Sequence, residues 1–137
     1  MTLQPLFSAS LPIQLHVLTL VLAFLVGTWQ FALSRKGAGP HRAAGMAFLL
    51  LMFATAVSAL FIHVNSPNSP FFGFSVLHLY VPLIFGLVGL AWYGAATYRR
   101  KMHRFASVAL YFGSLVFTGI VQVFLVPGMA HRIFFSK

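Results

Sequence analysis

LHVLTLVLAFLVG at residues 15–27 returns as LHLYVPLIFGLVG at residues 77–89, so that Leu15-His16, Leu25 and Val26-Gly27 recur 62 positions on as Leu77-His78, Leu87 and Val88-Gly89. At the same offset His41-Arg42 and Ala44 recur as His103-Arg104 and Ala106. Each copy holds an apolar segment, a short basic loop with His-Arg and a second apolar segment. That pattern predicts two helical hairpins built to one plan, with function at the place where the copies face each other.

Composition sets the solvent. With 60% hydrophobic residues, 7% charged residues and a mean hydropathy of +0.92, the chain has too little polar surface to cover a water-soluble globule of 137 residues. A span needs about 20 mostly apolar residues. Four spans with short connections use nearly the whole length, so residues 1–137 read as a single membrane domain. The expected fold is all-α: an integral membrane four-helix bundle of two repeated hairpins, with helices at about 12–34, 40–63, 73–98 and 102–126 and an interfacial tail at 128–137. Pro12 and Pro40 suit first helical turns, Gly37 and Gly39 interrupt the first hairpin, and Pro127-Gly128 stops the last helix. Met1 to Ser10 carries no cationic n-region, and the apolar run after it is too long for a signal-peptide core, so the first span is expected to stay.

Charge sets the orientation. Nine Lys and Arg stand against no Asp or Glu. Seven of the nine, Arg35, Lys36, Arg42, Arg99, Arg100, Lys101 and Arg104, fall in or beside the first and third connections. The positive-inside rule then puts the two basic loops in the cytoplasm and both termini outside. Anionic lipid accounts for these cations at about 1 kcal/mol each, and nucleic acid is not expected as a partner. Without carboxylates there is no paired-acid hydrolysis, no carboxylate proton relay and no hard-metal site; without cysteine there is no disulfide, thiolate nucleophile or iron–sulfur cluster. Six histidines remain as the side chains that bind metal or titrate near neutrality.

At 100° per residue, small or polar side chains fall on one stripe of each helix: His16, Thr19, Ala23, Gly27, Gln30 and Ser34; Gly45, Met52, Ala56, Ala59 and His63; His78, Pro82, Phe85, Gly89, Trp92 and Ala96; Ser107, Ser114, Thr118 and Gln122. Small residues let membrane helices approach closely, and that accounts for most of them. Trp29, Trp92, Tyr93, Tyr98 and Tyr111 are assigned to the cytoplasmic aromatic belt.

Alternating helix directions sort the histidines into two layers. His16, His63, His78 and His131 fall at the outer face, and His41 and His103 at the inner one. Imidazoles on facing helices are a recurring way to hold haem b, which makes His16 and His78 the natural axial pair, His63 and His131 the alternates, and Gly27 and Gly89 the clearance for a flat ring. The same four outer histidines could instead bind zinc or copper, or no cofactor. Taken singly, each has a plainer reading as an interfacial imidazole bonded to water or backbone. His41, Arg42, His103 and Arg104, at helix starts, are expected to meet lipid phosphate or haem propionates.

The run His41-Arg42-x-x-Gly45, then Ser58, Phe61-Ile62, Phe71-Phe72-Gly73-Phe74-Ser75, His78, His103-Arg104 and Pro127-Gly128, resembles a bacterial family of four-helix integral membrane proteins. That family commonly has Arg directly after Pro-Gly, where this chain has Met129. The resemblance implies fold and location and no activity; the architecture is also similar to membrane haem proteins of the cytochrome b561 type. Three roles follow in order: electron transfer through haem b with a quinone or a membrane redox partner; a non-redox accessory or assembly subunit; and a carrier for a small apolar solute or lipid. None is a stand-alone enzyme, and a homodimer is left open.

Overall fold

The computed structural model describes residues 4–62 and 76–125, all of its regular structure helical and none of it strand. His63, His131 and the tail at 128–137 lie outside the described residues. After a short turn at Gln4–Phe7 come α1 (Leu11–Ala32) and α2 (Gly39–Ala59), then α3 (Tyr80–Ala96) and α4 (Arg100–Phe124). Three of them, α1, α2 and α4, are long and apolar enough to cross a membrane. α3 has 17 residues, but the 3-10 turn Val76–Leu79 in front of it adds length, and together they reach about 33 Å.

Helix starts follow the prolines. Ser10 and Ala38 are extended residues before α1 and α2, and Pro12 and Pro40 occupy first turns, where a missing N–H leaves no hydrogen bond unmade. Gly37, at φ 83°, turns the chain between them. Pro82 does the same for α3, so α3 begins at Tyr80 and His78 falls in the 3-10 turn before it. Residues 73–75, where the third helix is expected to begin, lie outside the described residues.

The helices close a ring. α1 packs along α2, α2 against α3, α3 along α4, and α4 returns to α1. Ala23, Phe48, Met52, Ala56, Val81, Ile84, Ala91, Leu110, Tyr111 and Leu115 meet in the middle. The stripes expected on α1 and α2 do face inward, with Ala23, Gly27, Gln30, Met52 and Ala56 buried. The stripe expected on α3 does not. That helix buries Val81, Ile84, Leu87, Ala91 and Gly94, and turns Pro82, Gly89, Trp92 and Ala96 outward. Its rotation is fixed by Gly94: a Cβ there would stand 2.6 Å from the backbone nitrogen of His103, so only glycine lets α3 and α4 touch along this line. α4 departs from α-geometry, running as a π-helix over Ala109–Val116 and Val121–Leu125.

Candidate functional site

At one end of the bundle α1 starts, α2 stops and α3 starts. The last carbonyls of a helix lack intrahelical donors and carry a partial negative charge. His16, from α1, places Nδ1 3.0 Å from the Thr55 carbonyl and 3.1 Å from Ser58 Oγ. His78, ahead of α3, places Nε2 3.0 Å from the Ala59 carbonyl and 2.9 Å from the Ile62 carbonyl. A carbonyl only accepts, so His16 donates from Nδ1 and His78 from Nε2. The two rings thus reach the same helix end from different helices, each on its own carbonyls.

A polar ladder continues from His16 into the bundle. Thr19 Oγ1 donates to the Leu15 carbonyl at 2.9 Å, and Thr55 Oγ1 donates to Thr19 Oγ1 at 2.8 Å. Ser58 Oγ donates to the Thr55 carbonyl at 2.9 Å. Thr55 is 3% exposed, so its hydroxyl is satisfied inside the protein or not at all. Thr55 and Ser58, three residues apart on an otherwise apolar helix, are the part of this site that the histidine pattern alone missed. An apolar groove of about 340 Å³, lined by Leu11, Leu15, Thr19, Val57, Ser58 and Phe61 among others, opens between α1 and α2 at this end.

Deeper in, the clearance expected at Gly27 is taken. The ring of Tyr111 lies where a Cβ on Gly27 would be, 2.6 Å away, and its hydroxyl is 2.6 Å from Thr28 Oγ1. Phe31 and Phe112 flank it at centroid distances of 5.0 and 4.8 Å, and Phe24 stacks at 6.1 Å. Tyr111 is therefore a buried plug, 6% exposed, and not a belt residue. The phenol is tolerated in the core because Thr28 answers its hydroxyl. Gly89 has open space within 4 Å and faces outward, so no flat ring is housed between the two glycines. Trp29, Trp92, Tyr93 and Tyr98 do lie exposed.

At the opposite, basic end His41 sets Nδ1 2.9 Å from Ser34 Oγ, which itself donates to the Gln30 carbonyl at 2.6 Å, while Gln30 Nε2 reaches the His41 carbonyl at 3.3 Å. Lys36 caps α1, donating to the Gln30 carbonyl at 2.8 Å. His103 places Nδ1 2.9 Å from the Ala91 carbonyl. Both imidazoles thus tie the start of one helix back to the helix before it, and Arg42 and Arg104 beside them stay exposed.

On α4 the hydroxyls of Ser114 and Thr118 are buried and have no hydrogen-bond partner. Elsewhere Thr19, Thr28, Ser34, Ser58 and Thr97 donate to carbonyls three or four residues back. Ser114 lies in the π-turns, where carbonyls are spaced for partners five residues on and its hydroxyl loses that outlet; Thr118 lies in the α-turn Phe117–Ile120 that follows.

Among the described residues no three His, Cys, Asp or Glu gather closely enough to hold a metal ion. His16 and His78 both bond to the end of α2; His63 and His131 lie outside the described residues. A family model described as "Predicted membrane protein (DUF2306)" matches residues 13–136. No curated protein matches the chain. No solved structure matches it either.

Proposed function

Because the chain belongs to the DUF2306 family of predicted membrane proteins, we propose that it is a multi-pass protein of the bacterial inner membrane, two duplicated hairpins with both termini outside, that binds haem b through His16 and His78 and passes electrons to a quinone or a membrane redox partner. The observation that carries the cofactor reading is the convergence of these two imidazoles on the end of α2, each with its N–H held by a backbone carbonyl. A carbonyl in that position fixes the tautomer and ring angle of an imidazole ligand and raises its basicity. The apolar groove beside His16 offers a wall for a macrocycle at the bundle end. The ring of Tyr111 against Gly27 rules out a deeper seat, so the haem would lie at the level of His16 and His78. When bound, haem supplies a one-electron couple; the chain's own residues supply two ligand nitrogens and the carbonyls that orient them.

The same hydrogen bonds also favour a second use. An imidazole N–H on the last carbonyls of a helix is a satisfactory cap by itself, which fits a non-redox accessory or assembly subunit with a His-bound zinc or copper ion or none. The absorption spectrum of protein purified from membranes separates the two. A Soret band that shifts on dithionite reduction and is abolished by His16→Ala and by His78→Ala, but kept by His41→Ala, supports haem. A colourless sample, or one whose band survives both changes, sinks it.

A further inference from the structure

We propose that the basic end of α4 is a seat for one phospholipid of net negative charge, its phosphate held by Lys101 and Arg104 and its acyl chain lying along Phe105, Val108 and Ala109. These residues line an open groove of about 510 Å³. Lys101 and Arg104 are three apart, so they stack on one face of the helix, and Phe105 and Val108 follow them at helical spacing on the same face. The face is therefore cationic at the helix start and apolar toward the middle of the span, with Phe105 65% exposed. That order of chemistry along one line is the order of an anionic headgroup and its acyl chain.

The other basic residues nearby show why this pair is singled out. Lys36 is spent on the Gln30 and Phe31 carbonyls, and Arg99 lies over the Tyr93 ring at 5.7 Å. His103, between Lys101 and Arg104 in sequence, turns inward to the Ala91 carbonyl. The chain contains no carboxylate, so no side chain of this protein can neutralise Lys101 or Arg104. An anion from outside has to, and the adjoining apolar groove selects one that carries a hydrocarbon chain. The site is independent of the haem proposal, being at the other end of the bundle.

The test is native mass spectrometry of the detergent-purified protein titrated with dioleoyl-phosphatidylglycerol, with dioleoyl-phosphatidylcholine and glycerol phosphate as the other two arms. One phosphatidylglycerol should be retained in preference to phosphatidylcholine by about tenfold or more, and glycerol phosphate should not displace it at equal concentration. Lys101→Gln with Arg104→Gln should erase the preference, while Arg35→Gln with Arg99→Gln, which removes the same charge elsewhere, should keep it. Phe105→Ser should weaken retention several-fold with the charge intact. An equal loss in both double variants would mean diffuse attraction and overturn the site. Displacement by glycerol phosphate would reduce it to an anion contact, and equal retention of phosphatidylcholine would leave no role for the cations. Unchanged circular dichroism and unfolding temperature identify variants that are folded, and a misfolded double variant is replaced by Lys101→Gln alone, judged by the same two lipids.

Discussion

The helix pair α1–α2 is held across its interface by side-chain hydrogen bonds at both ends, His16 and Thr19 to Thr55 at one and Gln30 and Ser34 to His41 at the other. The pair α3–α4 is held by backbone proximity at Gly94 and by the bond from His103 to Ala91. The two stretches echo each other in sequence, yet the polar partners are in the first copy only: Thr19, Gln30 and Ser34 correspond, 62 positions on, to Val81, Trp92 and Ala96. With nothing to bond there, α3 turns its aliphatic and glycine face toward its neighbours. The same asymmetry appears in the glycines. Gly27 receives the ring of Tyr111, while Gly89 has no neighbour within 4 Å; the residue 62 positions before Tyr111 is Leu49, an aliphatic chain in place of a ring. The echo in sequence thus does not carry over into contacts, because a membrane bundle gains its specificity from packing and a few hydrogen bonds.

The widest gap between the two pairs should open at Tyr111. Tyr111→Ala empties the space against Gly27 and breaks the bond to Thr28, and a loss of about 3–5 kcal/mol in detergent unfolding monitored by circular dichroism is expected. Leu49→Ala, the counterpart, should also cost stability but leave the aromatic cluster intact; a Tyr111→Ala protein as stable as the parent would mean that the plug contributes nothing.

Next come the glycines. Gly94→Ala drives a methyl into the His103 backbone and should cost about 2–3 kcal/mol, whereas Gly89→Ala meets open space and should be neutral or gain up to about 1 kcal/mol of helix propensity. Equal effects would contradict the rotation of α3 described above.

Smaller changes test the hydroxyls. Thr55→Val removes the bond to Thr19 and leaves in place the Thr55 carbonyl that His16 uses, for an expected loss of about 1–1.5 kcal/mol. Ser114→Ala deletes a buried hydroxyl that bonds to nothing, so its unfolding midpoint should stay level or rise, by about 1 kcal/mol. If Ser114→Ala were instead clearly destabilising, the Ser114 hydroxyl would have a bonding partner, and the contrast between satisfied α1–α2 and unsatisfied α4 would fail.

Much of this was legible in the chain. Pro12, Pro40 and the Gly37 turn located α1 and α2, and the stripe from His16 to Ser34 correctly predicted the buried face of α1 because small and polar residues there coincide with a partner helix. On α3 the same reasoning failed. Its stripe was drawn through His78, Phe85 and Trp92, but an apolar membrane helix is hydrophobic all round, so composition does not mark the inward side. Gly94, whose close approach does mark it, gives no signal until its neighbour is known. The π-turns of α4 had no sequence signature that we can identify.

Sequence alone determined that this is a helical membrane protein without carboxylate or thiol chemistry, since composition and hydrophobic segment length follow from the bilayer as solvent. It also put His16 and His78 at the same end of the bundle. Tertiary structure alone decided what those rings touch and what fills the bundle. Helix rotation depends on which surfaces pack most closely, and that settled the carbonyls of α2 as the partners of both imidazoles and the side chain of Tyr111, in place of a cofactor, against Gly27.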